Sequence, residues 1–142
     1  MEITIHMQPS DPFITTRERH LQEIAEDYVE LIADLILQKG CARTCDLATR
    51  LGVSHVTVVR TVKRLQQRGY LQTQPHKPIL LTKEGEKLAA FSKSRHAILL
   101  KFLMELGVPK ETAEIDAEGM EHHISSITLE TFQKFTMHAE RK

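Results

Sequence analysis

Residues 44–65 contain the feature that most restricts the fold, a pattern of two short helices joined by a tight turn. The first helix is predicted over residues 46–51 with Thr44 as its cap, and Ser54 caps the second. Ala48 is small where the two helices must approach each other, and Gly52 permits the turn between them. This pattern is typical of the helix-turn-helix of DNA-binding proteins.

The second helix of this pattern separates an apolar face from a polar one. Val58, Val62 and Leu65 recur at helical spacing and predict the buried face. A recognition helix needs this division, because its apolar side holds it to the domain while its polar side enters the major groove. The residues expected to contact DNA here are Ser54, His55, Thr57, Arg60, Thr61, Lys63 and Arg64.

These polar side chains suit different parts of the duplex. Thr57 and Arg60 could reach base edges, whereas Lys63 and Arg64 suit phosphates. A helical hairpin whose basic residues are only solvated is the alternative at this point.

Two short strands are predicted after the recognition helix, over residues 70–74 and 79–81. The segment between them contains His76 and Lys77. Such a hairpin forms the wing of a winged helix, and we expect both residues to contact the DNA backbone or minor groove.

The charge of the chain is zero overall but unevenly distributed. Residues 40–95 hold 11 Lys and Arg against 3 Asp and Glu, a charge of +8. Residues 1–39 carry −5 and residues 96–142 carry −3. The basic centre coincides with the predicted winged helix, so it can attract DNA phosphates although the molecule is neutral.

Helical periodicity covers most of the remaining sequence, so the fold class is predicted to be mainly α. Residues 1–14 contain two prolines and no periodicity, and we expect a flexible tail there. A winged helix-turn-helix domain is predicted over residues 15–85 and a second, helical module over residues 86–142. The predicted long helices run from Thr15 or Thr16 to Lys39, from Thr82 to about Leu106, from Lys110 to His123, and from Ser125 or Ser126 onward.

Export and membrane insertion are not indicated by the sequence. No apolar run approaches the roughly 20 residues needed to span a bilayer. The N-terminal residues lack a basic-then-apolar signal pattern. Two cysteines, Cys41 and Cys45, do not make a disulfide framework. We therefore expect a cytoplasmic protein without membrane contact.

Acidic residues and histidines recur at helical spacing on three predicted helices. Carboxylate and imidazole donors from separate helices could gather around divalent cations, which would offset the repulsion among the carboxylates. Oxygen-rich donor sets favour manganese or ferrous iron over softer metals. Spacing alone leaves a solvated acidic surface and a packed histidine as the alternative. The candidate metal ligands are Asp27, Glu30, His96, Glu118, Glu121 and His122.

Several segments together resemble the manganese transport regulators of the diphtheria-toxin-repressor-like family. These are Asp27–Glu30, the helix-turn-helix at residues 46–55, residues 81–85, Arg95–His96 and Asp116–His123. The similarity covers about residues 22–137. The first and last of these segments are its most specific parts.

The resemblance implies a metal-dependent repressor rather than an enzyme. It implies a homodimer that binds a palindromic operator in double-stranded DNA and represses metal-uptake genes when loaded with metal. Residues 86–142 would then be the metal-binding and dimerisation domain, and the six candidate ligands would hold two ions per subunit. Glu30, Glu118 and Glu121 are the expected ligands of both ions. We expect the dimer contact to use the face of Ala113 and Ala117 with Met120 and Ile124, together with part of the last helix.

Manganese is the expected cofactor, because the iron-responsive branch carries sulfur-containing residues where this chain has Asp27 and Glu118. Four alternatives stay open. The chain could respond to another divalent cation such as ferrous iron, or respond to a drug or to thiol oxidation at Cys41 and Cys45. It could also bind DNA constitutively, or be a di-metal carboxylate enzyme.

Overall fold

The computed structural model describes residues 12–141, which form six α-helices and one two-stranded antiparallel sheet. The fold class is mainly α, as predicted. In chain order the elements are α1 (Pro12–Lys39), α2 (Thr44–Leu51), α3 (His55–Gln67), β1 (Leu71–Gln72), β2 (Leu80–Leu81), α4 (Lys83–Glu105), α5 (Lys110–Met120) and α6 (Ser126–Glu140).

A first hydrophobic core joins α1 to α2, α3 and the sheet. Ile32 of α1 and Leu47 of α2 are fully buried in it. Val58, Val62 and Leu65 also lie in this core, which confirms the predicted buried face of α3. Helix α3 is therefore held in the same apolar core as α1, and its polar side faces solvent.

A second core joins the C-terminal half of α4 to α5 and α6. Leu99 of α4 is fully buried there, and so are Ala113 and Ala117 of α5. Because α4 also places Ala89 in the first core, this helix belongs to both. The predicted dimer contact is wrong for Ala113 and Ala117, since both side chains already pack inside the single chain. Its other part, through Met120, Ile124 and part of α6, stays a prediction.

The turns and caps follow the predicted chemistry closely. Gly52 ends α2 with a positive φ of 66°, which a glycine adopts without strain. The side chains of Ser54, Thr82 and Ser125 each accept a hydrogen bond from a backbone N–H in the first turn of the following helix.

The start of α2 differs from the prediction. Thr44, the predicted cap, is instead the first residue of the helix. The N–H of Arg43 donates to the carboxylate of Asp46, so an acidic side chain in the first turn helps to cap the start of α2.

Some predicted boundaries differ from the structure. Helix α1 begins at Pro12, a residue suited to a first helical turn, so the last three residues of the predicted tail are helical. The rest of that tail, residues 1–11, lies outside the described residues. The strands of the wing are shorter than predicted, because the N–H of Ile79 donates to the carbonyl of Ala42 at 2.8 Å and not to β1. Helix α5 ends at Met120, three residues earlier than predicted.

Two large apolar side chains of α4 and its C-terminal end are not buried. Phe91 is 50% exposed, and Leu106, which caps the helix, is 55% exposed. These two residues fall outside the cores that Ala89 and Leu99 enter. Among the described helices, none combines the length and the apolar character needed to cross a membrane.

Gly85 fixes how closely the wing approaches α4, and replacing it should destabilise the protein. A Cβ at this position would lie 2.1 Å from the backbone oxygen of Tyr70. We expect Gly85→Ala to lower the free energy of unfolding by about 1–3 kcal/mol, measured by urea denaturation. Gly119→Ala, where a Cβ meets open space in a helix, is the matched control and should not destabilise. Equal stability of both variants would contradict the close approach.

Candidate metal centre

A cavity of about 770 Å³ lies between α1, α4 and α5 and contains the candidate ligands. The structure brings all six predicted metal ligands to its wall, although they come from three separate parts of the chain. They are Asp27, Glu30, His96, Glu118, Glu121 and His122. The cavity also touches the end of α2, so it reaches the helix-turn-helix.

The tightest group of donors in the cavity is Asp27, Glu121 and His122, which offer ligand atoms within 4.8 Å of one another. Nε2 of His122 lies 3.2 Å from Asp27 Oδ1 and 3.4 Å from Glu121 Oε1. These distances place one imidazole nitrogen and two carboxylate oxygens around a common point. This is the arrangement from which a cation site can be built with small side-chain movements.

The other three candidate ligands surround this group. His96 Nδ1 lies 2.8 Å from Glu121 Oε2, so α4 and the end of α5 meet at the cavity. The hydroxyl of Ser92 donates to Glu30 Oε2 at 2.9 Å and holds that carboxylate against α4. Glu118 lies on the wall of the cavity with its side chain exposed.

Burial and repulsion alter the acidity of this group. Burial raises the pKa of Glu121, and the hydrogen bond with His96 offsets this only in part. Burial also raises the pKa of Asp27, and the neighbouring Glu30, Glu26 and Glu23 add to the effect. Burial alone would lower the pKa of His122, but Glu26, Asp27 and Glu121 outweigh it and raise that pKa. The shifts of Asp27 and Glu121 come mainly from burial, and neighbouring carboxylates contribute to all three shifts.

The donor set fits divalent cations well. Five carboxylates line the cavity, and Arg50 is the only lysine or arginine among the residues that line it. The donors are oxygens and imidazole nitrogens, which manganese and ferrous iron accept. Cations bound here would compensate the excess of negative charge.

The sequence analysis did not identify two residues that contact a candidate ligand or its partner without lining the cavity. Glu26 accepts a hydrogen bond from His122 and pairs with Arg95, and both are buried. A signal was present, because Glu26 lies three residues before the buried Val29 and Arg95 lies four residues before the buried Leu99. A charge on the buried face of each of two helices predicts an ion pair between them.

The predicted DNA-contacting surface is free of other elements. Each of the seven predicted residues from Ser54 to Arg64 is exposed except Thr61, which is half-buried. Ser54 Oγ accepts from the N–H of Thr57 at 3.1 Å and lies 2.8 Å from its hydroxyl, so this pair stiffens the start of α3. His76 and Lys77 are exposed at the tip of the wing, where His76 has a positive φ of 62°.

Two family models match consecutive parts of the chain. Residues 20–79 match the model described as "Iron dependent repressor, N-terminal DNA binding domain". Residues 82–142 match "Iron dependent repressor, metal binding and dimerisation domain".

Similar proteins and structures carry related names. A transcriptional regulator MntR of Salmonella typhimurium is 52% identical over 124 residues, which are 87% of this chain and 79% of the relative. The HTH-type transcriptional regulator MntR of Lysinibacillus sphaericus is 41% identical over 70% of this chain and 72% of its own length.

Two solved structures share the fold at 28% identity. A manganese-dependent transcriptional repressor in complex with manganese has a TM-score of 0.71 over 80% of this chain. The manganese regulator SloR has a TM-score of 0.68 over 78% of this chain. The chain spans about half, 52%, of either of those chains.

The raised pKa of Glu121 predicts how the metal-free protein responds to pH. Because the ionised form is disfavoured in the folded state, the wild-type protein gains stability as pH falls through that raised pKa and loses it as pH rises. Glu121→Gln should therefore be more stable than wild type at neutral pH, and the difference should shrink at mildly acidic pH. Urea denaturation in the presence of a chelator measures both.

Glu130→Gln is the control for this pH effect, because Glu130 is exposed on α6 and does not line the cavity. It should leave the stability unchanged at either pH. A Glu121→Gln variant that is less stable than wild type at neutral pH would contradict the electrostatic interpretation of the cavity.

Proposed function

Because the chain belongs to the iron-dependent repressor family of transcriptional regulators, we propose that it is a manganese-responsive repressor of metal-uptake genes. In this proposal it binds a palindromic operator as a metal-loaded homodimer in the cytoplasm. The family consists of transcriptional repressors and not of enzymes, so the di-metal enzyme alternative is not favoured.

The observation that carries the proposal is the position of the cavity. Its candidate ligands come from α1, from α4 and from the end of α5. Helix α1 shares a core with the recognition helix, whereas α5 packs only in the second core. A ligand that ties these helices together therefore constrains the DNA-reading module relative to the rest of the chain.

The residues of the cavity supply the coupling. Without a cation, Asp27 and Glu30 of α1 repel Glu118 and Glu121, which favours arrangements in which α1 and α5 are further apart. Bound cations would remove that repulsion and favour the arrangement in which all six ligands converge. The population then shifts toward one spacing of the two recognition helices in the dimer, and a coupling of about 1–3 kcal/mol is typical of such switches.

Manganese is the favoured metal on the chemistry of the donors. Asp27 and Glu118 give hard oxygen atoms, and no cysteine or methionine is among the residues that line the cavity. The size of the donor set supports two ions per subunit, which Glu30, Glu118 and Glu121 would hold together with the other three candidate ligands. The two solved structures named as manganese regulators point in the same direction. Ferrous iron is the second candidate, because it accepts the same donors.

DNA binding is assigned to the exposed side of α3 and to the wing. Thr57 and Arg60 would read bases, and Lys63 and Arg64 would contact phosphates. The exposure of all four side chains supports this assignment. We assign residues 15–85 to the DNA-binding domain and residues 86–142 to metal binding and dimerisation, with α4 passing from one to the other.

A selection experiment tests the function and identifies the operator at the same time. Duplexes of random sequence are selected with the full-length protein at fixed salt, in Mn²⁺, Fe²⁺, Zn²⁺ or chelator. We expect enrichment of sites with two related half-sites in Mn²⁺ and none in chelator. Equal enrichment in chelator would show a constitutive DNA binder, and enrichment in Fe²⁺ alone would show an iron sensor.

Removing one cavity ligand should uncouple DNA binding from metal. We expect Glu118→Ala to lose Mn²⁺-dependent binding to the selected site while it keeps its fold and oligomeric state, because one oxygen donor is lost from an exposed wall. Fluorescence anisotropy with a Mn²⁺ titration measures the effect. Glu114→Ala, one turn earlier on α5 and not on the cavity wall, is the matched control. A metal dependence that is unchanged in Glu118→Ala would overturn the mechanism.

Removing a recognition-helix cation should do the reverse. We expect Arg60→Ala to weaken binding to the selected site by about 1–3 kcal/mol while Mn²⁺ affinity stays unchanged, because Arg60 is exposed on α3 and is not on the cavity wall. Calorimetry gives the metal affinity and anisotropy gives the DNA affinity. Arg141→Ala, an exposed arginine after α6, is the control. Loss of metal affinity in Arg60→Ala would contradict the separation of the two sites.

A further inference from the structure

We propose that Glu26, held in place by Arg95, positions His122 so that its Nε2 atom faces the metal cavity. Neither Glu26 nor Arg95 lines the cavity, and both act through the histidine. The inference rests on the proposed metal site, since His122 is one of its ligands. It assigns a role to two charged residues that the proposed function leaves unused.

The geometry around Glu26 is a chain of contacts from α4 through α1 to the turn after α5. Both terminal nitrogens of Arg95 face the Glu26 carboxylate, with Nη2 closest to Oε2. The same Oε2 lies 2.8 Å from Nδ1 of His122. Glu26 is 5% exposed and Arg95 8%, so water does not compete strongly for these contacts.

The direction of the hydrogen bond follows from the charges. Arginine stays protonated in proteins, and a carboxylate paired with it is ionised and can only accept. The proton between Glu26 and His122 must therefore be on Nδ1 of the imidazole. In the neutral ring, Nε2 then carries the free lone pair, and it is this atom that lies 3.2 Å from Asp27 and 3.4 Å from Glu121.

Arg95 forms its ion pair with Glu26 and is restricted in its movement. Its guanidinium lies over the ring of Phe91 at 5.4 Å from the centroid, which limits its movement. Its Nε is the only buried side-chain nitrogen or oxygen without a hydrogen-bond partner among residues 16–141. A buried ion pair adds little to stability compared with apolar residues of similar size. Arg95 faces Glu26 although its Nε stays without a partner. Because such a pair adds little to the stability of the protein, we explain it by the orientation that Glu26 gives to His122.

Carboxylates behind metal-binding histidines orient the ring, and removing them typically lowers metal affinity about 10–100-fold. We therefore expect Glu26→Gln to lower Mn²⁺ affinity of the full-length protein by about this factor, measured by calorimetry. Glu23→Gln is the matched control. Glu23 lies one turn earlier on α1 and contacts His123 at 2.9 Å, but neither residue lines the cavity. A loss of affinity in Glu23→Gln equal to that in Glu26→Gln would overturn the specific role of Glu26.

A second readout does not depend on metal. Long-range ¹H–¹⁵N NMR of the metal-free protein, at alkaline pH where the ring is neutral, reports which nitrogen of His122 carries the proton. We expect the proton on Nδ1 in wild type and a shift toward Nε2 in Glu26→Gln. A wild-type ring protonated on Nε2 would overturn the proposal. If wild type bound no Mn²⁺, the proposed function would fail. The NMR result would still decide whether Glu26 determines which nitrogen of His122 carries the proton.

A double variant separates positioning from simple bridging of α1 and α4. Glu26→Leu with Arg95→Met removes both buried charges and fills their volume with apolar atoms, so the fold should survive even if Glu26→Gln alone does not fold. Circular dichroism checks this. We expect the folded double variant to show the same loss of Mn²⁺ affinity as Glu26→Gln. Wild-type affinity in the double variant would show that the pair only joins the helices and would overturn the proposal.

Discussion

Repulsion among the carboxylates that line one cavity is the constraint on which the arrangement of this molecule depends. Asp27 and Glu30 on α1 face Glu118 and Glu121 across this cavity. The pKa values of Asp27 and Glu121 are raised, mainly by burial and in addition by neighbouring carboxylates, so keeping both groups ionised there costs free energy. The two hydrophobic cores do not relieve that cost, because they lie on either side of the cavity. The convergence of the helices is therefore the feature of the fold that a bound cation can control.

The apolar parts of the chain could be predicted from sequence because they follow local rules. The spacing of Val58, Val62 and Leu65 fixes the buried face of α3, and Ser54 and Thr82 mark two helix starts by their capping chemistry. The same rules misplaced the dimer contact, because periodicity shows that Ala113 and Ala117 are buried but not by which partner. In the structure, the second core of the single chain covers them.

The candidate ligands were predicted, but the residues behind them were not. Spacing placed Glu118, Glu121 and His122 on neighbouring points, and the resemblance joined them to Asp27, Glu30 and His96. Periodicity places a charge on the buried face of each helix, but Glu26 and Arg95 are 69 residues apart in sequence and no local pattern shows what they contact. Only the packing of α1 against α4 brings this pair together. Residues that contact the ligands of a metal site are therefore harder to infer from sequence than the ligands themselves.

Helix α4 explains why a signal at the cavity can reach DNA without a dedicated pathway. It enters the first core through Ala89 and the second through Leu99, and it contributes His96 to the cavity wall between them. A helix of this length is stiff. A change in how α1 packs against α4 would therefore move the winged helix as a unit. Linkage then makes the effect reciprocal: whatever free energy metal adds to DNA binding, DNA must add to metal binding. An operator of higher affinity would accordingly make the same protein respond at a lower concentration of metal.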